Sequence, residues 1–290
     1  MVQAIILVGG KGIRISRLYP DRPKALIPVA GIPFLEHQLA WLSQGGVRDI
    51  HLASGHMSEA IQEWLCPAEA RSQKSEVRGQ RLARHSQPSR GEGGSEISKK
   101  TDGIHGQLFR ISKAIFFPFS SDLSLSFSAE PSPLGTGGGL KHVEKHIRSD
   151  PFLVLNGDSF LPHLDFAAFR QAHEQAGPLA SLAVTTIRET GRYGTIEFDP
   201  DRRISAFHEK AERQEGWVNG GAYLMDKKAL APFAVGKKIS LETDIFPELA
   251  AQGQLRAFPV PPPLLDMGTP EGLSAMERYF EISSNNLDRS

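Results

Sequence analysis

Ala4-Ile5-Ile6-Leu7-Val8-Gly9-Gly10-Lys11-Gly12-Ile13-Arg14, near the start of a 290-residue chain, reads as a buried strand running into a glycine-rich turn. Consecutive apolar residues ending at glycine suit a strand covered on both faces, as in parallel sheets. Pro33 stands where a helix takes its first turn, and Leu35, Leu39 and Leu42 follow at helical spacing until Gly45-Gly46. Working outward, strands are expected over 49–53, 152–156 and 179–187, and helices over 59–65 and 165–175. A last helix is capped by Thr269, with Pro270 in its first turn and Leu273, Met276 and Phe280 as its stripe. Residues 195–198 and 204–207, joined through Asp199-Pro200-Asp201, predict a hairpin, and 217–225 a strand interrupted by Gly220-Gly221. This alternation predicts an α/β fold on a mixed, mostly parallel sheet, whose ligands bind at the carboxyl ends of the strands.

Two segments read differently. Over 123–129, Leu123, Leu125, Phe127 and Ala129 alternate with Ser124, Ser126 and Ser128, a strand with one polar face. Residues 67–120 hold Ser, Gly, Arg, Lys and Gln with little periodicity, apart from an apolar patch at 115–119. This is the pattern of a polar, mobile insertion within a single domain spanning 1–290.

Composition sets outer limits. Lys plus Arg and Asp plus Glu both number 33, so no overall charge draws the chain to nucleic acid or an anionic membrane. A lone cysteine, Cys66, excludes an internal disulfide and a multi-cysteine metal cluster, and it reads as a small helix-end residue. With no secretory leader and no apolar run near the ~20 residues of a membrane span, a cytoplasmic setting is expected. Oligomeric state stays open, a homo-oligomer included.

The chemistry gathers around the first turn. Glycines aim backbone amides at phosphate oxygens, and Arg14, Arg17 and Lys24 follow closely. The spacing fits neither common nucleotide loop: no Gly-Lys-Ser/Thr ends it, and Ile15 stands where a dinucleotide fingerprint has its third glycine. Taken alone, such a loop is as compatible with a plain tight turn.

The longer pattern is more specific. Leu7 to Arg14, with Arg22-Pro23-Lys24-Ala25-Leu26-Ile27-Pro28-Val29-Ala30-Gly31-Ile32-Pro33, resembles the opening motif of the sugar 1-phosphate nucleotidyltransferases. The resemblance continues through Pro133-Leu134-Gly135-Thr136-Gly137-Gly138, Leu155-Asn156-Gly157-Asp158, Glu209-Lys210, Asn219-Gly220-Gly221 and Asp266-Met267-Gly268-Thr269-Pro270. It implies a Rossmann-like three-layer fold with a small β-rich sugar-binding part. It also implies attack by a sugar phosphate on the α-phosphorus of a nucleoside triphosphate, with pyrophosphate leaving.

By this resemblance, Arg14 holds the departing phosphates, Lys24 sits near the reacting ones, and Asp158 and Asp266 bind Mg²⁺. Carboxylates with phosphate and water oxygens are the donors that Mg²⁺ prefers. The backbone of Leu7, Gly9, Gly10 and Gly12, with Gly135 and Gly137, matches the nucleotide pocket. Gly194, Glu209, Lys210 and Asn219 match the sugar-phosphate contacts. His56, after the second strand, is open between facing the sugar and an ordinary surface or capping role. Departures are Ile13, Ile15-Ser16 and Lys24-Ala25, where the family has Thr, Leu-x-Pro and Lys-Pro. They alter loop shape but keep both phosphate-binding cations.

Pro33-Phe34-Leu35-Glu36, Leu134-Gly135-Thr136-Gly137-Gly138 and Asn219-Gly220-Gly221-Ala222-Tyr223 look most like the D-glycero-D-manno-heptose 1-phosphate guanylyltransferases, with the mannose 1-phosphate enzymes adjacent. That implies GTP and a heptose 1-phosphate as substrates. Uridylyl-, thymidylyl- and cytidylyltransferases, for example on N-acetylmuramate 1-phosphate, stay compatible, as does a non-catalytic nucleotide-sugar sensor on the same fold.

Overall fold

The computed structural model describes residues 2–10, 15, 17–65, 107–110, 123–188, 193–208 and 215–287. Its strands are β1 (Gln3–Leu7), β2 (Pro28–Val29), β3 (Ile32–Pro33), β4 (Asp49–Ser54), β5 (Gln107–Arg110), β6 (Ser124–Ala129) and β7 (Phe152–Asn156). They continue with β8 (Ser159–Phe160), β9 (Ala180–Arg188), β10 (Thr195–Phe198), β11 (Ile204–His208), β12 (Glu215–Met225), β13 (Leu255–Pro259) and β14 (Leu265–Asp266). The α-helices are α1 (Phe34–Gln44), α2 (Ser58–Leu65), α3 (Gly135–Val143), α4 (Phe166–Ala176), α5 (Phe246–Ala251) and α6 (Pro270–Leu287).

The first strand is the centre of the molecule. β1 pairs in parallel with β4 on one side and β7 on the other, and β6 adds in parallel beyond β4. β12 joins β7 antiparallel, and β9 and β13 extend the sheet beyond it. The expected mixed, mostly parallel sheet is therefore present, and the 107–110 stretch inside the expected insertion forms its far edge as β5, antiparallel to β6.

Alternation of apolar side chains across β1 divides the core into two layers. Ala4 and Ile6 face a cluster fed by Leu35, Leu39 and Leu42 of α1, Ile61 of α2, and Phe166 and Phe169 of α4. Ile5 faces the opposite cluster, fed by Leu140 and Val143 of α3 and by Phe246 and Leu249 of α5. This is a three-layer arrangement. A third, smaller cluster joins Ile15, Ile27, Val29, Phe34, Phe160, Leu265, Leu273 and Met276, and it ties α6 to the loops after β1.

The serine face of β6 is not solvent-facing: Ser126 and Ser128 are buried. Ser126 Oγ lies 2.8 Å from His51 Nδ1 and donates to the Ile50 carbonyl at 3.3 Å. Burial, reinforced by His146, Arg148 and His142, lowers the His51 imidazole to about 3, so it stays neutral. A period-two pattern locates the two faces of a strand but does not say which is wet.

The hairpin of β10 and β11 forms as expected, with a bulge between Glu197 and Phe198. β12 runs through Gly220-Gly221 with a register shift between Asn219 and Tyr223, so the interruption is a bulge within one long strand. Among the described residues, no helix is long and apolar enough to cross a membrane.

Candidate active site

The carboxyl ends of β1, β4 and β7 are stitched together by backbone bonds. Val8 N–H donates to Ala53 O at 2.9 Å, and Gly157 N–H donates to Leu7 O at 3.0 Å. A Cβ on Gly157 would stand 2.5 Å from that same carbonyl, so only glycine permits the approach. Above these strand ends lies a cavity of about 440 Å³, lined by Leu7, Gly9, Gly10, Lys24, Glu130, Gly135, Thr136, Asn156, Asp158 and Lys238, among others. It sits where an open α/β sheet places its ligand.

Lys24 is held by a short 3-10 turn whose Ala25 and Leu26 are buried, which leaves the lysine to enter the cavity. Its Nζ lies 2.5 Å from Asp158 Oδ2, with the lysine side chain mostly buried. Asp158 ends the turn between β7 and β8, and its Oδ1 accepts the Ser159 hydroxyl at 3.0 Å. β14 pairs antiparallel with β8, so Asp266 stands opposite Ser159, and Met267 N–H donates to Asp158 O at 3.1 Å. A Cβ on Gly268 would stand 2.9 Å from Asp266 Oδ1 and 3.6 Å from Lys24 Nζ. Two carboxylates more than a hundred residues apart in the chain and one lysine thus converge on a single spot.

Of the other expected nucleotide contacts, Leu7, Gly9, Gly10 and Gly135 line the cavity, but Gly137 does not. The amides of Gly137 and Gly138 both donate to Ile239 O at 3.0 Å. These glycines serve close packing of the start of α3 on the 237–239 segment. Gly135, at φ +76°, would bring a Cβ within 2.5 Å of the Ile239 carbonyl and is equally constrained.

Gly194 packs against the His208 carbonyl and does not line the cavity. Asn219 turns inward: its Nδ2 donates to Tyr223 Oη at 3.0 Å, and its Oδ1 accepts Gly221 N–H at 2.9 Å. Asn156, which lines the cavity, donates to the same Tyr223 Oη at 3.3 Å. The fully buried Tyr223 hydroxyl therefore joins the cavity wall at Asn156 to Asn219 on β12, and burial raises its pKa well above the ordinary value. Tyr223→Phe strands both amide donors, and a loss of about 1–3 kcal/mol in unfolding free energy is expected, measured by denaturant titration. Arg14, Gly12, Glu209, Lys210 and Cys66 lie outside the described residues.

The cavity also contains groups that the motif reading passed over. Glu130, just after β6, lines it, and its Oε2 accepts Leu134 N–H at 3.0 Å. Burial raises its carboxyl pKa. Lys238 adds a second cation to the lining, and Thr136 links the cavity to Glu242 through a 2.8 Å hydroxyl bond. Gln38, buried on α1, donates to Asn156 O at 2.8 Å and to Ser159 O at 3.2 Å, bracing the turn that carries Asp158. His56 is exposed beside Arg22 and Lys24, with its backbone N–H on Gly9 O at 3.2 Å.

The chain is similar to several known proteins along nearly its whole length. A D-glycero-α-D-manno-heptose 1-phosphate guanylyltransferase of Campylobacter jejuni is 27% identical over 285 residues, covering 98% of this chain and 100% of that one. A mannose-1-phosphate guanylyltransferase of Mycobacterium tuberculosis is 26% identical over 273 residues, which are 93% of this chain and 62% of that protein. The crystal structure of HddC from Yersinia pseudotuberculosis matches with a TM-score of 0.71 at 24% identity, over 97% of this chain and 100% of that one, and it shares the fold. The model of the nucleotidyl transferase family spans residues 3–281, and with the sheet, the strand-end cavity and the ordered motifs it makes this chain a member of that family.

Proposed function

We propose that the chain transfers a nucleoside monophosphate from GTP to a sugar 1-phosphate, D-glycero-D-manno-heptose 1-phosphate being the acceptor favoured by its relatives' names, and releases pyrophosphate. The observation that carries this reading is the convergence of Lys24, Asp158 and Asp266 beside a cavity that Lys24, Asp158 and Glu130 line. An oxygen of the sugar phosphate forms a bond to the α-phosphorus as the bond to the β-phosphate oxygen breaks. Such transfer asks the protein for alignment and charge rather than a covalent intermediate.

Lys24 and Lys238 supply positive charge around the phosphates, and Asn156, held through Tyr223, keeps the cavity wall fixed. The pair Asp158 and Asp266 fits a Mg²⁺ ion, because two oxygen donors leave most positions to phosphate and water. When bound, Mg²⁺ offsets the charge of the phosphates.

Glu130 supports GTP among the nucleotides. Guanine presents two adjacent donors, N1–H and the 2-amino group, which a carboxylate accepts together, whereas uracil and thymine present one donor between two carbonyls. The test is a pyrophosphate-release screen crossing GTP, UTP, dTTP, CTP and ATP with heptose, mannose and N-acetylmuramate 1-phosphates. GTP with the heptose phosphate is expected to give the highest kcat/KM, by about tenfold or more over the other bases. Preference for another base would overturn the guanine assignment, and release with none would overturn the enzymatic reading.

A further inference from the structure

A second cavity, of about 330 Å³, lies at the sheet edge between α4, β13 and the hairpin turn after β10. Its lining combines two chemistries. One wall is apolar: Phe169 and Phe258 pack with ring centroids 4.9 Å apart, and Ala172 leaves the helix face open. The other wall carries Arg202 and Arg256.

The carboxylates beside that wall, Asp201 of the lining included, face Arg203. Asp201 pairs with Arg203 at 3.0 Å, and Asp199 also faces Arg203, at 3.9 Å. His173 is occupied on both ring nitrogens, by Ser181 Oγ at 2.9 Å and Asp226 Oδ1 at 3.2 Å. Arg256 spends one nitrogen on the Asp201 carbonyl at 3.0 Å, while its Nε is buried without a hydrogen-bond partner. A buried donor left unpaired is costly and marks a place for an acceptor.

Arg202 is fixed in place by its backbone. It holds φ +64°, the left-handed position that hairpin turns of this kind usually give to glycine. Its carbonyl accepts Ala257 N–H at 2.8 Å, which ties the turn to β13 beside Arg256. Its guanidinium carbon stands 5.9 Å from the centre of the Phe198 ring, a contact that uses none of its N–H donors. An exposed cationic side chain thus stands at a position that favours glycine, on a turn tied by its backbone to the strand that carries a second arginine.

We propose that this cavity binds a small anion with a single flat apolar ring, the ring against Ala172 and Phe258, which the fully buried Phe169 backs, and the charged group on Arg202 and Arg256. Its volume is at the lower end for ligand pockets, which suits one ring and one carboxylate or phosphate. This site is separate from the strand-end cavity, with which it shares no lining residue.

The probes are benzoate, phenyl phosphate, neutral benzyl alcohol and inorganic phosphate, each titrated against the full chain by thermal shift. Benzoate, phenyl phosphate or both are expected to raise Tm by about 2 °C near ten times Kd. Response to both marks a general anion site, and response to one alone tells carboxylate from phosphate. Ala172→Phe fills the cavity and should remove the shift while leaving unliganded Tm and pyrophosphate release unchanged. Arg202→Gln should raise Kd about tenfold, and it carries the test if the filled variant fails to fold. An equal shift with benzyl alcohol or inorganic phosphate, no shift with either anion, or a shift surviving in Ala172→Phe overturns the proposal.

Discussion

Asp158→Asn is expected to lower kcat for pyrophosphate release by about 10³-fold, the order seen when one preorganised electrostatic contact is lost. The substitution keeps size and shape, so the new amide oxygen can still accept the Ser159 hydroxyl, and the β7–β8 turn stays braced by Gln38. What disappears is the negative charge 2.5 Å from Lys24 Nζ, in a position one strand away from Asp266. Asp266→Asn should act in the same direction, because its Oδ1 accepts Gly268 N–H at 2.6 Å and an amide oxygen can do the same. The two losses should also be far from additive, since residues acting as one unit fail together. Thermal melts close to the parent's, alongside the kinetic loss, separate chemistry from folding. Full activity in either variant would sink the two-carboxylate assignment.

How much of this was legible in the sequence depended on whether neighbours in the chain are neighbours in space. β1, its glycine turn and Lys24 were readable because an apolar run, a turn and a short proline-bounded segment carry their meaning locally. Asp158 and Asp266 were readable only as parts of motifs, and their convergence needed the β8–β14 pairing.

Other residues were hidden for definite reasons. Gln38 lies among the leucines of α1, where a polar residue reads as a spacer, yet it is buried and bonded to the turn that carries Asp158. Glu130 sits before a Pro-Ser-Pro turn and carries no periodic signal. The close packing of Gly137 and Gly138 was hidden, because their partner Ile239 lies about a hundred residues further on, beyond any local pattern. The serines of β6 gave the right period and a polar face, but not its burial, because what covers them is decided by the topology.

Glu130→Gln is expected to reverse the preference between nucleotides. In the parent, Oε2 accepts Leu134 N–H, which fixes the carboxylate plane and leaves acceptor capacity toward the cavity. A glutamine held the same way would give its oxygen to Leu134 and turn its amino group to the base. That donor would face the N1–H and 2-amino donors of guanine and leave them unpaired, whereas it would suit a uracil carbonyl. The kcat/KM for GTP should fall about 10²-fold, the order of a lost bidentate base contact, while that for UTP holds or rises. A pH series adds an independent readout. Burial raises the Glu130 pKa, and pairing with guanine requires the ionised form. The parent's KM for GTP should therefore climb as pH falls through that raised pKa, and the glutamine variant should lack this dependence. An unchanged ratio of GTP to UTP in a well-folded Glu130→Gln protein would remove Glu130 from base reading and leave nucleotidyl transfer itself untouched.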